Sequence, residues 1–329
     1  MDKGYSKYYQ DEECRFKYAY GSFERPAPES TDIDGKGAEN GQNHHLLRAE
    51  LWLLTWLERA GFKADVFTDI DFDRGINNLH NYKALVLNTH PEYWTIRMWD
   101  NLHNYLKQGG CLLYLGGNGI YETCQYENEE GKGLRLKFFN GQPTDNRDKY
   151  YFRNQGMPER EVLGVAFLGH CGSSSINDKS RGPYKVREPD HWIFQGSRTR
   201  DRDRGALRFK MGETIGESGY LGPASGWEMD TSEPGTAPDK TTVRGLWGDD
   251  RGVPPKNLVL LARGQTECDC NLSADMTYYD HRGGGFVFSV GSLCFTGSLA
   301  KEEKLQQIVA NALKGAQDKN YRILPNAKK

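Results

Sequence analysis

Residues 83–119 read KALVLNTHPEYWTIRMWDNLHNYLKQGGCLLYLGGNG. An apolar strand, 83–89, opens the segment, and a second, Cys111 to Leu115, closes it. Between them the spacing predicts a helix from about Thr95, with Trp99, Leu102 and Leu106 on one face and Gly109-Gly110 as its stop. Strand, helix and strand with short links form the parallel βαβ unit. The unbroken apolar run at 111–115 predicts a sheet covered on both faces.

Upstream, Leu47, Leu51, Leu54 and Leu57, widened by Trp52 and Trp56, predict a helix over about 43–60, with Gly61 at its C-terminal cap. Ala64 to Thr68 reads as a further strand. Residues 1–42 form an irregular N-terminal segment, punctuated by Gly and Pro, with one short strand candidate at Phe16 to Tyr20. Downstream, from about 125 to 280, charged and Gly-rich loops separate strand candidates at 134–139, 162–168, 184–187, 257–263 and 275–279. Residues 196–256 are the least readable. Regularity returns with Gly283-Gly284-Gly285, the strand 286–290 and a helix over about 301–314, with Leu305, Ile308, Val309, Ala312 and Leu313 inward. The expected architecture is one α/β domain over 43–329 with a β-rich insertion at about 125–280. On that arrangement the final strand and helix complete the first sheet.

Composition narrows the function classes. Among 329 residues, 43 Lys and Arg face 45 Asp and Glu, a net charge of −2. This lacks the basic excess of a nucleic-acid binder. Mean hydropathy is −0.77, no apolar run reaches the ~20 residues of a membrane helix, and the N-terminus shows no secretory pattern. Seven dispersed cysteines read as free thiols rather than a disulfide framework, which places the expected location in the cytoplasm.

Open α/β sheets place ligands at the carboxyl ends of their strands, and two loops lie there. His90-Pro91-Glu92-Tyr93-Trp94 gathers an imidazole, a carboxylate and a phenol, which suits metal binding, acid–base chemistry or a packed turn. Gly116-Gly117-Asn118-Gly119 resembles a strand-to-helix elbow, but Asn118 stands where a nucleophilic hydrolase carries Ser or Cys. Asn118 is suited to orienting a carbonyl or a water. Tyr93 and Asn118 are expected to line one cleft, with His90 and Glu92 at its rim. In Ser225-Gly-Trp-Glu-Met-Asp230, Glu228 and Asp230 alternate, so on a strand they share a face as a functional or a salt-bridged structural pair. Gly169-His170-Cys171 and His44-His45 carry weaker signals.

Several blocks resemble the C-terminal region of the N,N-dimethylformamidase large (β) subunit family. They are Ser22 to Pro26, Ala49 to Glu58, Asp65 to Asp69, His90 to Tyr93, Tyr114 to Gly119, Ser225 to Asp230, Gly283 to Ser292 and Phe295 to Leu299. The resemblance implies a flavodoxin-like core similar to class I glutamine amidotransferases. It further implies hydrolysis of a non-peptide carbon–nitrogen bond in a small amide, with a water activated by one non-haem iron. Tyr93 matches one of the family's two tyrosine ligands, and Trp52 stands where the other is expected; the glutamate ligand has no clear match. On this reading Tyr93 binds iron, His90 and Glu92 assist in acid–base chemistry, and Asn118 orients the carbonyl. The partners expected are a small-molecule amide and further copies or a small partner subunit, with neither nucleic acid nor membrane. A non-catalytic binding or scaffold subunit with a degenerate metal site is the competing class.

Overall fold

The computed structural model describes residues 20–23, 46–129, 133–139, 150–170, 181–195, 207–233, 252–264 and 273–322. The βαβ unit forms as the sequence predicts. Strand β2 (Ala84–Thr89) leads to helix α3 (Ile96–Lys107) and strand β4 (Cys111–Gly116). The Thr95 hydroxyl accepts the Met98 N–H and caps the helix. Gly109, at φ +92°, makes the stop that a side-chain-bearing residue resists. Strands β2 and β4 pair in parallel from Ala84 opposite Cys111 to Thr89 opposite Gly116. Strand β13 (Phe286–Ser289) then pairs in parallel with the other side of β4.

Strand β4 shows why the core is two-sided. Cys111, Leu113 and Leu115 pack on one face with α1 (Leu47–Arg59) and α6 (Glu303–Gln317). Leu112 and Tyr114 pack on the other with α3. The period of two divides the apolar run between two cores. Leu102 and Leu106 of α3 are fully buried, each contributing about 1.5–3 kcal/mol. Helix α6 turns Leu305, Ile308, Val309, Ala312 and Leu313 inward as its periodicity requires.

The rest of the sheet is antiparallel. Strands β12 (Asp275–Asp280), β11 (Val259–Gly264), β8 (Tyr184–Val186) and β9 (Thr214–Ile215) continue it in the order β2-β4-β13-β12-β11-β8-β9. The β-rich middle of the chain thus widens the α/β sheet by four strands. A second sheet orders β1 (Tyr20–Ser22), β6 (Gly133–Phe138), β5 (Glu122–Glu129) and β3 (Tyr93–Trp94). Strand β7 (Ala166–His170) pairs with β10 (Glu228–Thr231). Helices α2 (Asp69–Arg74), α4 (Glu159–Leu163) and α5 (Phe295–Leu299) are short.

Two expectations are corrected. Residues 64–68 are not a strand. Val66 and Phe67 are exposed, and a reciprocal capping box between Thr68 and Asp71 turns the chain into α2. The candidate at 162–168 divides into the end of α4 and the start of β7, with Gly164 at φ +76° between them. Residues 16–19 and 43–45, parts of an expected strand and helix, lie outside the described residues, as does His44-His45.

Candidate functional site

The loops after β2 and β4 are laced together by their backbones. Gly117 N–H donates to Thr89 O (3.1 Å), Ile120 N–H to Pro91 O (2.8 Å), and the N–H groups of Tyr121 and Glu122 to Glu92 O (both 3.0 Å). A Cβ on Gly116 would stand 2.2 Å from Thr89 O, and one on Gly117 would stand 2.4 Å from Glu228 O. The two glycines therefore let three chain segments meet. Thr296 donates to Asn88 Oδ1 (2.6 Å), and Asn88 Nδ2 donates to Glu50 (3.1 Å), tying the end of β2 to α5 and α1.

Backbone strain gathers here. Five described non-glycine residues have positive φ, and four of them, Thr89, Asn118, Ile120 and Trp227, sit in these loops or just before Glu228. Thr89 and Ile120 are β-branched, for which this conformation is an outlier. Such strain costs roughly 1–3 kcal/mol per residue and persists only where the surroundings enforce it.

The side chains converge on Glu228. One oxygen, Oε2, lies 2.9 Å from His90 Nε2 and accepts the Asn118 amide at 2.7 Å. Glu92 Oε2 is 3.3 Å from the same His90 nitrogen. Burial opposes the imidazolium, but hydrogen bonds and charge from Glu228 and Glu92 outweigh it and hold the His90 pKa at about 10. His90 is thus a cation between two carboxylates at neutral pH.

Asp230 lies beneath the Asn118 loop. It accepts the Tyr114 hydroxyl (2.6 Å) and the Asn118 N–H (2.8 Å), while Tyr114 accepts the Gly119 N–H (2.7 Å). Burial pushes the Asp230 pKa up against those two hydrogen bonds, and the charges of Glu159 and Glu228 add to the rise, to about 7.

The structure thus brings His90, Glu92 and Asn118 together and adds Glu228, Asp230 and Tyr114. The alternation of Glu228 and Asp230 was visible in the sequence; their address, more than a hundred residues beyond Asn118, was not. A register shift between Met229 and Asp230 leaves both carboxylates facing the Asn118 loop. Tyr93 lies on β3 with its ring edge-on to Phe138, centroids 5.0 Å apart. His170 ends β7 opposite Glu228, and Cys171 lies outside the described residues.

At the second tyrosine position of the iron centre that the resemblance implies, the chain carries Trp52. Trp52 is buried beside Ala49, Leu221 and Cys294 and stacks on Tyr220 at 4.8 Å, and its indole nitrogen is a donor only. No group of three or more His, Cys, Asp or Glu arranged to hold a metal occurs among the described residues. The mismatch concerns this one ligand position and leaves the reaction open.

The family described as N,N-dimethylformamidase beta subunit-like, C-terminal, matches residues 3–309. The chain belongs to this family. Two curated relatives, the N,N-dimethylformamidase beta subunits of Alcaligenes sp and Paracoccus aminophilus, are each 28% identical over 285 residues, covering 77% of this chain and 34% of theirs. The chain therefore spans about a third of the length of the relatives it matches. No helix among the described residues is long and apolar enough to cross a membrane.

Proposed function

We propose that the chain hydrolyses a small amide at the site built on His90, Glu92, Asn118 and Glu228. The observation that supports this most is the placing of His90 between Glu92 and Glu228, the second of which also fixes Asn118. Glu92 accepts a proton from water as its oxygen adds to the amide carbon. The His90 imidazolium stabilises the developing oxyanion and then donates its proton to the leaving nitrogen as the C–N bond breaks. Proton return from Glu92 to His90 restores the site. Asn118 has two amide hydrogens, one committed to Glu228; the other orients the substrate carbonyl.

The names of the relatives support a subunit role, with further copies of the chain or a small partner subunit as the assembly. Buried free thiols at Cys111, Cys124 and Cys294 fit a cytoplasmic location. Residues 43–329 are read as one α/β domain whose β2-β4-β13 centre derives from a flavodoxin-like sheet. Tyr93 is the position at which an iron would be held. Elemental analysis, with a phenolate-to-iron absorption band abolished in Tyr93→Phe, tests that assignment.

A second reading, a non-catalytic subunit, is favoured by Trp52, whose stacking on Tyr220 makes it a packed core residue. Amine release from formamide, N-methylformamide and N,N-dimethylformamide separates the two. Turnover by the wild type that is lost in His90→Gln supports the hydrolase, and no turnover supports the binding subunit.

A further inference from the structure

A cleft of about 410 Å³ lies at the other end of the sheet, lined by residues of the turn between β12 and β13 and of the segment after α6. Gly285, at the start of β13, lines it, whereas Gly291, just past the end of β13, accepts the Asp230 N–H. Six residues of extended chain place the two roughly 20 Å apart. The cleft is therefore separate from the candidate catalytic site. Its volume falls within the range of small-molecule pockets, about 300–1,000 Å³.

One wall is aromatic. His191 packs on Tyr278 with ring centroids 4.7 Å apart, and Trp192 meets Tyr278 edge-on at 5.6 Å. Burial lowers the pKa of His191 to about 4 and moves that of His281 in the same direction, so both imidazoles are neutral.

The other wall is cationic. Arg322 has only 14% of its side chain exposed; it lies over the Phe286 ring with its Cζ 5.5 Å from the centroid, and its contacts with Asp280 Oδ1 and Gly284 O are both long, at 3.4 Å. Asp280 is 66% exposed and accepts the Tyr278 hydroxyl at 2.7 Å. Lys319 makes no hydrogen bond or ion pair among the described residues. Two cations thus stand beside one outward-turned carboxylate and an aromatic wall.

We propose that this cleft binds a planar organic anion, with its ring against Trp192 and Tyr278 and its oxyanion between Lys319 and Arg322. The oxyanion is a carboxylate or a phosphate, since a guanidinium fork suits both. The site carries none of the proposed hydrolytic groups, so the ligand is an effector or an anchor and not the amide.

Isothermal titration calorimetry of the full chain tests this with benzoate, phenyl phosphate, inorganic phosphate and benzylamine. At least one of the two aromatic anions should bind with one-to-one stoichiometry, and the tighter of the two identifies the oxyanion. Inorganic phosphate and benzylamine should bind at least about tenfold more weakly. Lys319→Gln should weaken the aromatic anion about tenfold without changing Tm, and Arg322→Gln should weaken it further. The proposal fails if neither aromatic anion binds below about 10 mM. It also fails if inorganic phosphate or benzylamine binds as well as the aromatic anions, or if Lys319→Gln binds as the wild type does.

Discussion

The Tyr114 hydroxyl donates a 2.6 Å hydrogen bond to Asp230, 116 residues further along the chain, and both side chains are buried. Tyr114 belongs to the central strand of the parallel core, whereas Asp230 belongs to a strand outside that sheet. The bond therefore fixes the two halves of the candidate site relative to each other. Tyr114→Phe removes the donor to Asp230 and the acceptor of the Gly119 N–H. Leaving buried groups unpaired costs about 1–3 kcal/mol, and urea denaturation should show a loss of that size.

The stability of the fold should depend on pH through the same site. The folded pKa of His90 rises from 6.5 to about 10. Its stabilising contribution is present in full below pH 6.5 and is lost as the pH rises through 10. The folded pKa of Asp230 rises from 3.8 to about 7, so its contribution is present in full below pH 3.8 and is lost as the pH rises to 7. Urea denaturation across pH should show His90→Gln flattening the decline toward alkaline pH and Asp230→Asn flattening the decline that accompanies rising pH between 3.8 and 7. Identical curves for wild type and variants contradict the two assignments.

A chain ending at residue 140 should not fold. Strand β13 lies between β4 and β12, so the fragment leaves one side of β4 without its partner. It also lacks α6, which covers Leu113 and Leu115. The expected result is insoluble protein, or a soluble fragment without NMR dispersion.

The sequence made the parallel core legible because β2, α3 and β4 bury faces that follow their own periods. It obscured three other elements. Strand β5 carries Glu122, Gln125, Glu127 and Asn128, whose polarity hides a strand placed by its neighbours in the second sheet. Residues 64–68 read as a strand, but the capping pair Thr68 and Asp71 is the stronger signal and was present in the sequence. The joining of Glu228 to His90 and Asn118 depends on the pairing of β10 with β7, a long-range contact that no local pattern announces. His90, Glu92 and Asn118 were legible because they follow strands whose carboxyl ends form sites in this fold class.

Tyr93→Phe removes only a hydroxyl and keeps the ring that packs on Phe138. If Tyr93 takes part in the reaction, the loss of an interaction worth about 3 kcal/mol lowers the rate roughly a hundredfold. Stability should change little. A structural tyrosine would instead lose about 1 kcal/mol of stability at unchanged activity. Amine-release kinetics and urea denaturation of one preparation separate the two outcomes.

Glu228 offers the most direct test of the central claim, because one of its oxygens serves both His90 and Asn118. Glu228→Gln keeps the shape and an acceptor for Asn118 but removes the charge that helps hold His90 protonated. Amine release from N-methylformamide should be measurable in the wild type and about a hundredfold slower in Glu228→Gln, equivalent to roughly 3 kcal/mol. Equal rates in the two proteins, or no release by the wild type, would contradict the account.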